Sequence, residues 1–190
     1  MKTYIWSLPT RLFHWLLVIA MVVAYILSEE EELLNYHTAA GYMAGMLIIF
    51  RILWGIFGPR YSKFSDFPVG ISSVKGFFTN MKNSKKHSPG HNPAASVVML
   101  GIIAFTLLVV VSGILLLASE GQGFFASFQT GLSENSLKEM HEIAVNIVIA
   151  LVIIHLLGNL VDFISNREVG TLKSMLTGYK NIDAENVKLN

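Results

Sequence analysis

The sequence predicts an all-α membrane protein, a bundle of four transmembrane helices, and three observations support this prediction. Hydrophobic residues make up 53% of the 190 residues, and charged residues make up only 14%. Four long apolar stretches are present, and each has the roughly 20 residues that a helix needs to cross the hydrocarbon layer. An open sheet is excluded in lipid, because its edges would leave backbone polar groups without partners. The predicted spans of this single integral-membrane domain are residues 9–28, 36–57, 93–119 and 138–164.

The positions of lysine and arginine predict the orientation of these spans. If the N-terminus is cytoplasmic, Lys138 is the only one of the 14 Lys and Arg residues in an outer segment, as the positive-inside rule requires. Both termini are therefore expected in the cytoplasm, and the outer connections are acidic, above all at residues 29–32. The first stretch is longer than a signal-peptide core and is followed by no convincing cleavage site, so we expect it to remain as a permanent span.

The lack of cysteine and two amphipathic segments further restrict the kinds of cofactor and of local structure expected in this protein. The absence of cysteine excludes disulfides, zinc thiolate sites, iron–sulfur clusters and covalently attached c-type haem. Residues 71–81 and 169–179 each carry apolar side chains at helical spacing beside lysines, which indicates short amphipathic helices on the inner membrane face. An equally good interpretation is that these segments only cover the inner end of the bundle. We expect membrane lipid as a partner and no nucleic acid.

Four of the six histidines, His14, His37, His141 and His155, lie in or at the edge of predicted spans, where ionisable residues are functional candidates. Fourteen residues separate His141 from His155, so their rings lie about 40° apart on one helix face and about 21 Å apart along the axis. His37 is expected at the outer depth of His141, and His14 at the inner depth of His155. The sequence therefore predicts two histidine pairs, one near each membrane surface.

Paired neutral imidazoles on facing helices, with no thiolate or carboxylate at their depth, suit axial ligation of a b-type haem. A di-iron site would need Glu-x-x-His motifs, and zinc would need third and fourth ligands that the spans do not supply. We therefore predict two non-covalent b haems, with His14, His155, His37 and His141 as iron ligands. Hydrogen bonds between helices are the alternative interpretation of these histidines.

Each predicted haem has two propionates that need cationic partners. Arg11 and Lys138 each precede a predicted ligand by three residues, which places a cation one turn nearer the water on the ligand's own face. Arg51 follows His37 by fourteen residues and is expected near the level of the inner haem, where it could bind propionates. In the alternative interpretation, Arg51 only extends its charge to the inner surface.

Two further groups of residues have open interpretations. Gly41 and Gly45 follow His37 at one and two turns, so they could give a flat macrocycle room against the backbone, or they could form a small-xxx-small helix contact. His87 and His91 lie in a polar loop broken by proline and glycine, which is typical of a solvated loop. Metal binding or contact with a quinone is the alternative for this loop.

Five sequence blocks, in order, resemble those of the bacterial cytochrome b561 family, which is related to the b-type subunits of nickel–iron hydrogenases and formate dehydrogenases. The blocks lie between residues 6 and 180, and they are WSLPTRLFHW, HTAAGYMAGMLIIFRILWGIFGPRYSKFSDF, GHNPAASVVML, EMHEIAVNIVIALVIIHLLG and MLTGYK. The resemblance implies a four-helix protein of the bacterial inner membrane, with the same four histidine ligands, two b haems and electron exchange with quinone. Ser7 replaces an acidic residue often found in the first block. The outer loops are shorter than in the hydrogenase branch, which disfavours a dedicated hydrogenase partner.

The favoured function is transmembrane electron transfer through two b haems, between the quinone pool and an extracytoplasmic redox partner. Because the outer face is acidic, a basic protein such as a c-type cytochrome is the expected partner. Residues 29–32 are typical of a solvated turn, and docking of this partner is the alternative interpretation. We expect the quinone at the inner rim, near Trp15, Arg51, Trp54 and the loop at residues 90–93. A homo-oligomer is compatible with this sequence.

Two alternative functions remain open. The resemblance also permits a quinone-linked superoxide oxidase, an enzyme in its own right, which would profit from a cationic outer funnel. Lys138 is the only Lys or Arg that this sequence places in an outer segment. The second alternative is a haem-free small transporter or proton relay that uses the same histidines, for which a site at the membrane midplane is expected.

Overall fold

The computed structural model describes residues 2–70, 93–128, 131–165 and 171–181, together with Ser72, Lys75 and Thr79. Four long helices dominate these residues, and each is long and apolar enough to cross a membrane. They are α1 (Leu8–Ile26), α2 (Leu34–Phe57), α3 (Pro93–Ser119) and α4 (Glu134–Ser165). The prediction of an all-α four-helix membrane bundle is confirmed.

The helix ends follow from local chemistry. Pro93 opens α3, where its missing N–H removes one donor that would otherwise have no partner. Ser133 precedes α4, and its Oγ accepts a hydrogen bond from the backbone N–H of Ser136 at 3.2 Å. Glu134 in the first turn adds a favourable charge at the helix N-terminus. Because of this cap, α4 begins four residues before the expected start at residue 138.

The chain is organised in two compact units. One unit comprises residues 1–13, 51–100 and 153–190, and the other comprises residues 14–50 and 101–152. Many large hydrophobic side chains of the four helices face outward, as expected for helices surrounded by lipid.

The first unit joins the two described ends of the chain. Strand β1 (Lys2–Tyr4) pairs antiparallel with strand β2 (Tyr179–Asn181), and helix α5 (Thr171–Thr177) precedes β2. Ile5 and Trp6 are buried behind β1, and the Trp6 indole N–H donates to Ser174 Oγ at 2.9 Å. The two described ends of the chain therefore lie beside each other.

A glycine makes the turn between α5 and β2 feasible. Gly178 has φ +86°, in the left-handed region that favours glycine. Its carbonyl accepts hydrogen bonds from the N–H groups of Ile5 and Trp6 at 2.9 and 3.1 Å. A Cβ at this position would lie 2.6 Å from the Tyr4 ring.

The structure describes only one of the two expected amphipathic helices. Within residues 169–179, α5 has Leu172 and Leu176 exposed on one face, whereas Ser174 is buried. Exposed leucines four residues apart suit a helix that lies on the membrane surface. In residues 71–81, Ser72, Lys75 and Thr79 are helical, but the apolar residues lie outside the described part of the chain. His87 and His91 also lie outside the described residues.

Candidate haem site

The unit of residues 14–50 and 101–152 brings two of the predicted ligands together. His37 lies in the first turn of α2, and His141 lies in the second turn of α4. Their ring centroids are 6.4 Å apart, and the ring planes are inclined by 72°. Two helices that are far apart in the sequence thus present imidazoles to each other.

Hydrogen bonds at Nδ1 define which ring nitrogen of each histidine is available. His37 Nδ1 is 2.8 Å from the Ala24 carbonyl oxygen, and His141 Nδ1 is 3.0 Å from the Val109 carbonyl oxygen. A carbonyl oxygen only accepts, so each Nδ1 carries the proton and donates it. The Nε2 lone pair is then the one available to a metal, and metal-bound histidines in proteins are typically oriented in this way.

The spacing of the two rings fits a shared iron atom. A bond from a metal to an imidazole nitrogen is about 2 Å long, and the ring centre lies about 1 Å beyond that nitrogen. Two imidazoles on opposite sides of one metal therefore have centres about 6 Å apart. Among the described residues, no group of three or more His, Cys, Asp or Glu side chains could hold a metal ion. The donor set thus suits a haem, which needs only two axial ligands from the protein.

The glycines near these histidines have different surroundings. A Cβ on Gly41 would meet nothing within 4 Å, so open space lies one turn after His37. A Cβ on Gly45 would lie 2.8 Å from Val110 Cγ1, which makes Gly45 a contact between α2 and α3. A Cβ on Gly113 would lie 3.1 Å from Cε1 of His141. Gly113 therefore lets the imidazole pack closely on α3.

Sequence reasoning did not select Ser112 and Gly113. Both contact His141, and Ser112 Oγ is 3.0 Å from its Nδ1. The only signal for them in the sequence is a serine–glycine pair inside the apolar run at residues 107–118 of α3.

The other two predicted ligands, His14 and His155, belong to different units, and each has a described contact. The His14 ring meets the Trp15 ring edge to face, with centroids 5.0 Å apart. His155 lies in α4, one turn before Asn159, whose side-chain amide donates to His155 Nε2 at 3.0 Å. Iron ligation through that nitrogen requires the Asn159 amide to turn away.

Arg51 is a buried cation in α2, only 3% exposed. Its Nη1 donates to the Ser62 carbonyl oxygen at 3.0 Å, and its guanidinium lies 4.6 Å from the ring centroid of Phe64 and 5.8 Å from that of Phe67. Its charge is therefore held inside the protein and does not extend to the surface. Among the described residues, no carboxylate pairs with it, and a buried charge without a counter-ion is costly.

A polar network lies beside Arg51 in the same unit. Thr10 Oγ1 and Ser62 Oγ are 2.9 Å apart, and the Trp54 indole N–H donates to Thr10 Oγ1 at 3.2 Å. Arg11 Nη1 donates to the carbonyl oxygen of Leu176, near the C-terminus of α5, where a cation is favourable. These bonds tie the start of α1, the end of α2 and the following loop to one another.

Lys138 is exposed in the second turn of α4, and it is the only Lys or Arg in its unit. The unit also has exposed phenylalanines in the connection between α3 and α4, where Phe124, Phe125 and Phe128 are 86%, 46% and 55% exposed. Exposed glutamates flank this connection at Glu120 and Glu134. This end of the unit is therefore both acidic and aromatic.

Comparisons with known proteins agree with this chemistry. The model of the family described as prokaryotic cytochrome b561 matches residues 5–178. A probable Ni/Fe-hydrogenase 1 B-type cytochrome subunit of Escherichia coli strain K12 is 24% identical, over 93% of this chain and 90% of the relative. A probable Ni/Fe-hydrogenase B-type cytochrome subunit of Bradyrhizobium diazoefficiens is 22% identical, over 92% of this chain and 84% of the relative. The corresponding subunit of Rhizobium leguminosarum bv. viciae is also 22% identical, over 93% of this chain and 88% of the relative. No solved structure matches the chain significantly.

Proposed function

Because the chain belongs to the prokaryotic cytochrome b561 family, we propose that it carries electrons through two b haems, between the quinone pool and a redox partner on the extracytoplasmic side. Membership makes it a b-type cytochrome of the bacterial inner membrane, which binds haem b and transfers electrons. Bound haem supplies one-electron iron chemistry, and the protein holds, orients and electrostatically tunes it. The observation that carries the proposal is the facing pair of imidazoles, His37 and His141.

In this proposal, His37 and His141 ligate one haem through their Nε2 atoms. The 6.4 Å between ring centres and the two Nδ1 bonds to backbone carbonyls support this assignment. The carbonyls orient the rings before the cofactor arrives and strengthen nitrogen donation to iron. Open space beside Gly41 supports a macrocycle on that side of His37.

The second haem of the proposal is ligated by His14 and His155. The support comes from sequence: His155 lies fourteen residues after His141 on the same helix, so it is about four turns deeper and on nearly the same face. Asn159 then supplies an amide one turn beyond the ligand, which can reorient when iron binds.

Arg51 is proposed as the partner of a propionate of this second haem. It is buried without a carboxylate partner among the described residues, and the propionate would supply the missing counter-ion. The bond to Ser62 and the two phenylalanine rings hold the guanidinium in place, so little side-chain entropy is lost when the anion binds. Lys138 is the corresponding candidate for the first haem, and Arg11 has its main described contact with Leu176.

The quinone is proposed to bind at the predicted cytoplasmic end, beside Arg51 and Trp54. The buried network of Thr10 and Ser62 supplies hydrogen-bonding groups within an apolar helix end, and such convergent polar groups are typical of ligand sites. Trp15, exposed beside His14, stays a candidate contact from the sequence. The loop at residues 90–93 lies mainly outside the described residues.

The extracytoplasmic partner is proposed to be a basic redox protein such as a c-type cytochrome. Glutamates at residues 29–32 and at Glu120 and Glu134 lie in the same unit as the exposed Phe124. Acidic rims steer basic partners, and exposed aromatic side chains give contact area. A hydrogenase catalytic subunit is the second candidate, because the relatives are named as cytochrome subunits of Ni/Fe-hydrogenases.

The proposal is tested by haem stoichiometry and by electron transfer in the detergent-purified protein. We expect about two b haems per chain in a pyridine haemochrome assay, with both haems reduced by added quinol under anaerobic conditions. Rapid reoxidation by a basic c-type cytochrome that slows with salt would support the partner. Protein without haem after expression with ample haem would contradict the electron-transfer role, and haem that quinol cannot reduce would contradict the quinone link.

A further inference from the structure

A serine inside α3 contacts the predicted ligand His141. Ser112 is completely buried, with 0% exposure. Its Oγ is 3.0 Å from the Val109 carbonyl oxygen and 3.0 Å from His141 Nδ1. Since His141 Nδ1 is also 3.0 Å from the Val109 oxygen, the three polar atoms form a closed triangle.

The chemistry of these atoms determines the direction of their hydrogen bonds. The Val109 carbonyl can only accept, so the Ser112 hydroxyl donates to it. With its proton on Nδ1, His141 donates into the triangle, to the Ser112 oxygen and to the same carbonyl. A hydroxyl that donates to a carbonyl becomes a better acceptor, because hydrogen bonds in a chain polarise one another.

The imidazoles of His37 and His141 therefore differ in the hydrogen-bond acceptors at their Nδ1 atoms. His37 Nδ1 donates to one carbonyl, that of Ala24, at 2.8 Å. His141 has a carbonyl and a polarised hydroxyl as acceptors. An additional acceptor at Nδ1 makes an imidazole a stronger donor to iron at Nε2, which stabilises ferric over ferrous iron.

We propose that Ser112 is a positioning residue that fixes the ring plane of His141 and lowers the reduction potential of the haem that this histidine ligates. The inference rests on the proposed ligation by His37 and His141. Gly113 complements Ser112, because its missing side chain lets the imidazole approach α3. Replacing Ser112 leaves the Val109 carbonyl as the acceptor for His141 Nδ1, so the ring keeps its Nε2 available but loses the second contact that fixes its plane.

The chain offers a matched control for the ordinary role of a helical serine. Serine hydroxyls within helices commonly bond a preceding carbonyl, without further function. Ser119 does so in the same helix, where its Oγ donates to the Leu116 carbonyl oxygen at 2.7 Å. Ser119 is exposed and contacts no histidine among the described residues.

The test compares Ser112→Ala, Ser112→Thr and Ser119→Ala in the purified haem-loaded protein. Haem content, the midpoint potential of each haem from spectroscopic redox titration, and the low-spin ferric EPR signals are measured. We expect Ser112→Ala to keep both haems and to raise the potential of one, so that its reduced-to-oxidised ratio at a fixed ambient potential increases several-fold. Ser112→Thr restores the original potential because it keeps the hydroxyl, and Ser119→Ala changes neither haem.

The possible outcomes separate this inference from the proposed ligation. Unchanged potentials and EPR signals in Ser112→Ala would overturn the role of Ser112, while loss of one haem in His141→Ala would still support the ligation. If His141→Ala kept both haems, the ligation itself would fail. If Ser112→Ala lost a haem, the Ser112→Thr variant would decide between the outcomes. Midpoint potentials equal to those of the wild type in Ser112→Thr would support the inference, and a shifted midpoint potential would overturn it.

Discussion

His37 donates from Nδ1 to the carbonyl oxygen of Ala24 at 2.8 Å, a bond that links α2 to α1. The bond turns the other ring nitrogen away from α1, and the His37 ring faces that of His141. The backbone of one helix thereby orients a side chain of the next. Backbone carbonyls are always present in a helix, so this support needs no particular residue at position 24.

Replacing either histidine of the facing pair should remove one haem. We expect His37→Ala and His141→Ala each to contain about one haem per chain, because a six-coordinate b haem needs both axial ligands. His87→Ala is the matched control, and it should keep both haems. Pyridine haemochrome content and reduced-minus-oxidised spectra measure the result. Two haems in either variant would contradict the ligand assignment.

Removing the buried charge of Arg51 should lower the potential of one haem. A positive charge near a propionate favours the ferrous state, because the reduced haem carries one more negative charge than the oxidised haem. Arg51→Gln should therefore shift one midpoint potential downwards in a redox titration, whereas Arg51→Lys should shift it less. Arg60 is exposed beside Tyr61, and Arg60→Gln should leave both potentials unchanged. Equal shifts of the midpoint potential in Arg51→Gln and Arg60→Gln would argue against the contact between Arg51 and a propionate.

Gly41 and Gly45 should respond differently to an added methyl group. Gly45→Ala places Cβ against Val110 and should destabilise the fold by about 1–2 kcal/mol, with or without haem. Gly41→Ala meets no protein atom within 4 Å, so it should leave the apo-protein as stable as the wild type. If the macrocycle occupies this space, Gly41→Ala should reduce haem content or shift the spectrum. Thermal unfolding of apo- and haem-loaded protein distinguishes the two effects.

Gly178→Ala should weaken the junction between the chain ends. The left-handed backbone at φ +86° costs alanine about 1 kcal/mol, and the added Cβ would also press on Tyr4. Gly121→Ala is the control, because Gly121 has φ +70° but a Cβ there meets nothing within 4 Å. We expect a larger drop in melting temperature for Gly178→Ala. Equal drops would mean that the contact with Tyr4 relaxes without cost.

Lys180 should make stability depend on pH in the alkaline range. Lys180 is 9% exposed, and burial lowers its pKa below the ordinary 10.5, although Asp162 partly opposes this. Between the lowered pKa and 10.5, the unfolded chain binds more protons than the folded chain, so folding is favoured as the pH rises. The stability of the wild type relative to Lys180→Met should therefore increase across that window. Melting temperatures at several pH values measure the difference, and a decrease would contradict the burial of the charged form.

Much of this architecture was predictable because lipid imposes a simple rule. A segment that crosses hydrocarbon must be long, apolar and helical, so residues 93–119 could be delimited to the residue. The start of α4 was harder to predict from the sequence, because a polar first turn capped by Ser133 does not resemble a membrane segment. The facing of His37 and His141 followed from helical periodicity, which relates residue number to depth and face.

The sequence by itself determined the number of helices, their apolar character and which histidines could lie at the same depth in the membrane. These properties depend only on the length of each apolar segment and on the regular rise and rotation per residue of a helix. Only the tertiary structure decided that Ser112 and Val109 support His141, that Gly45 packs on Val110, and that Arg51 turns inward to Ser62. These contacts join residues on different helices or beyond a helix end. They depend on how each helix is rotated against its neighbours, and that rotation is set by the packing of many side chains at once.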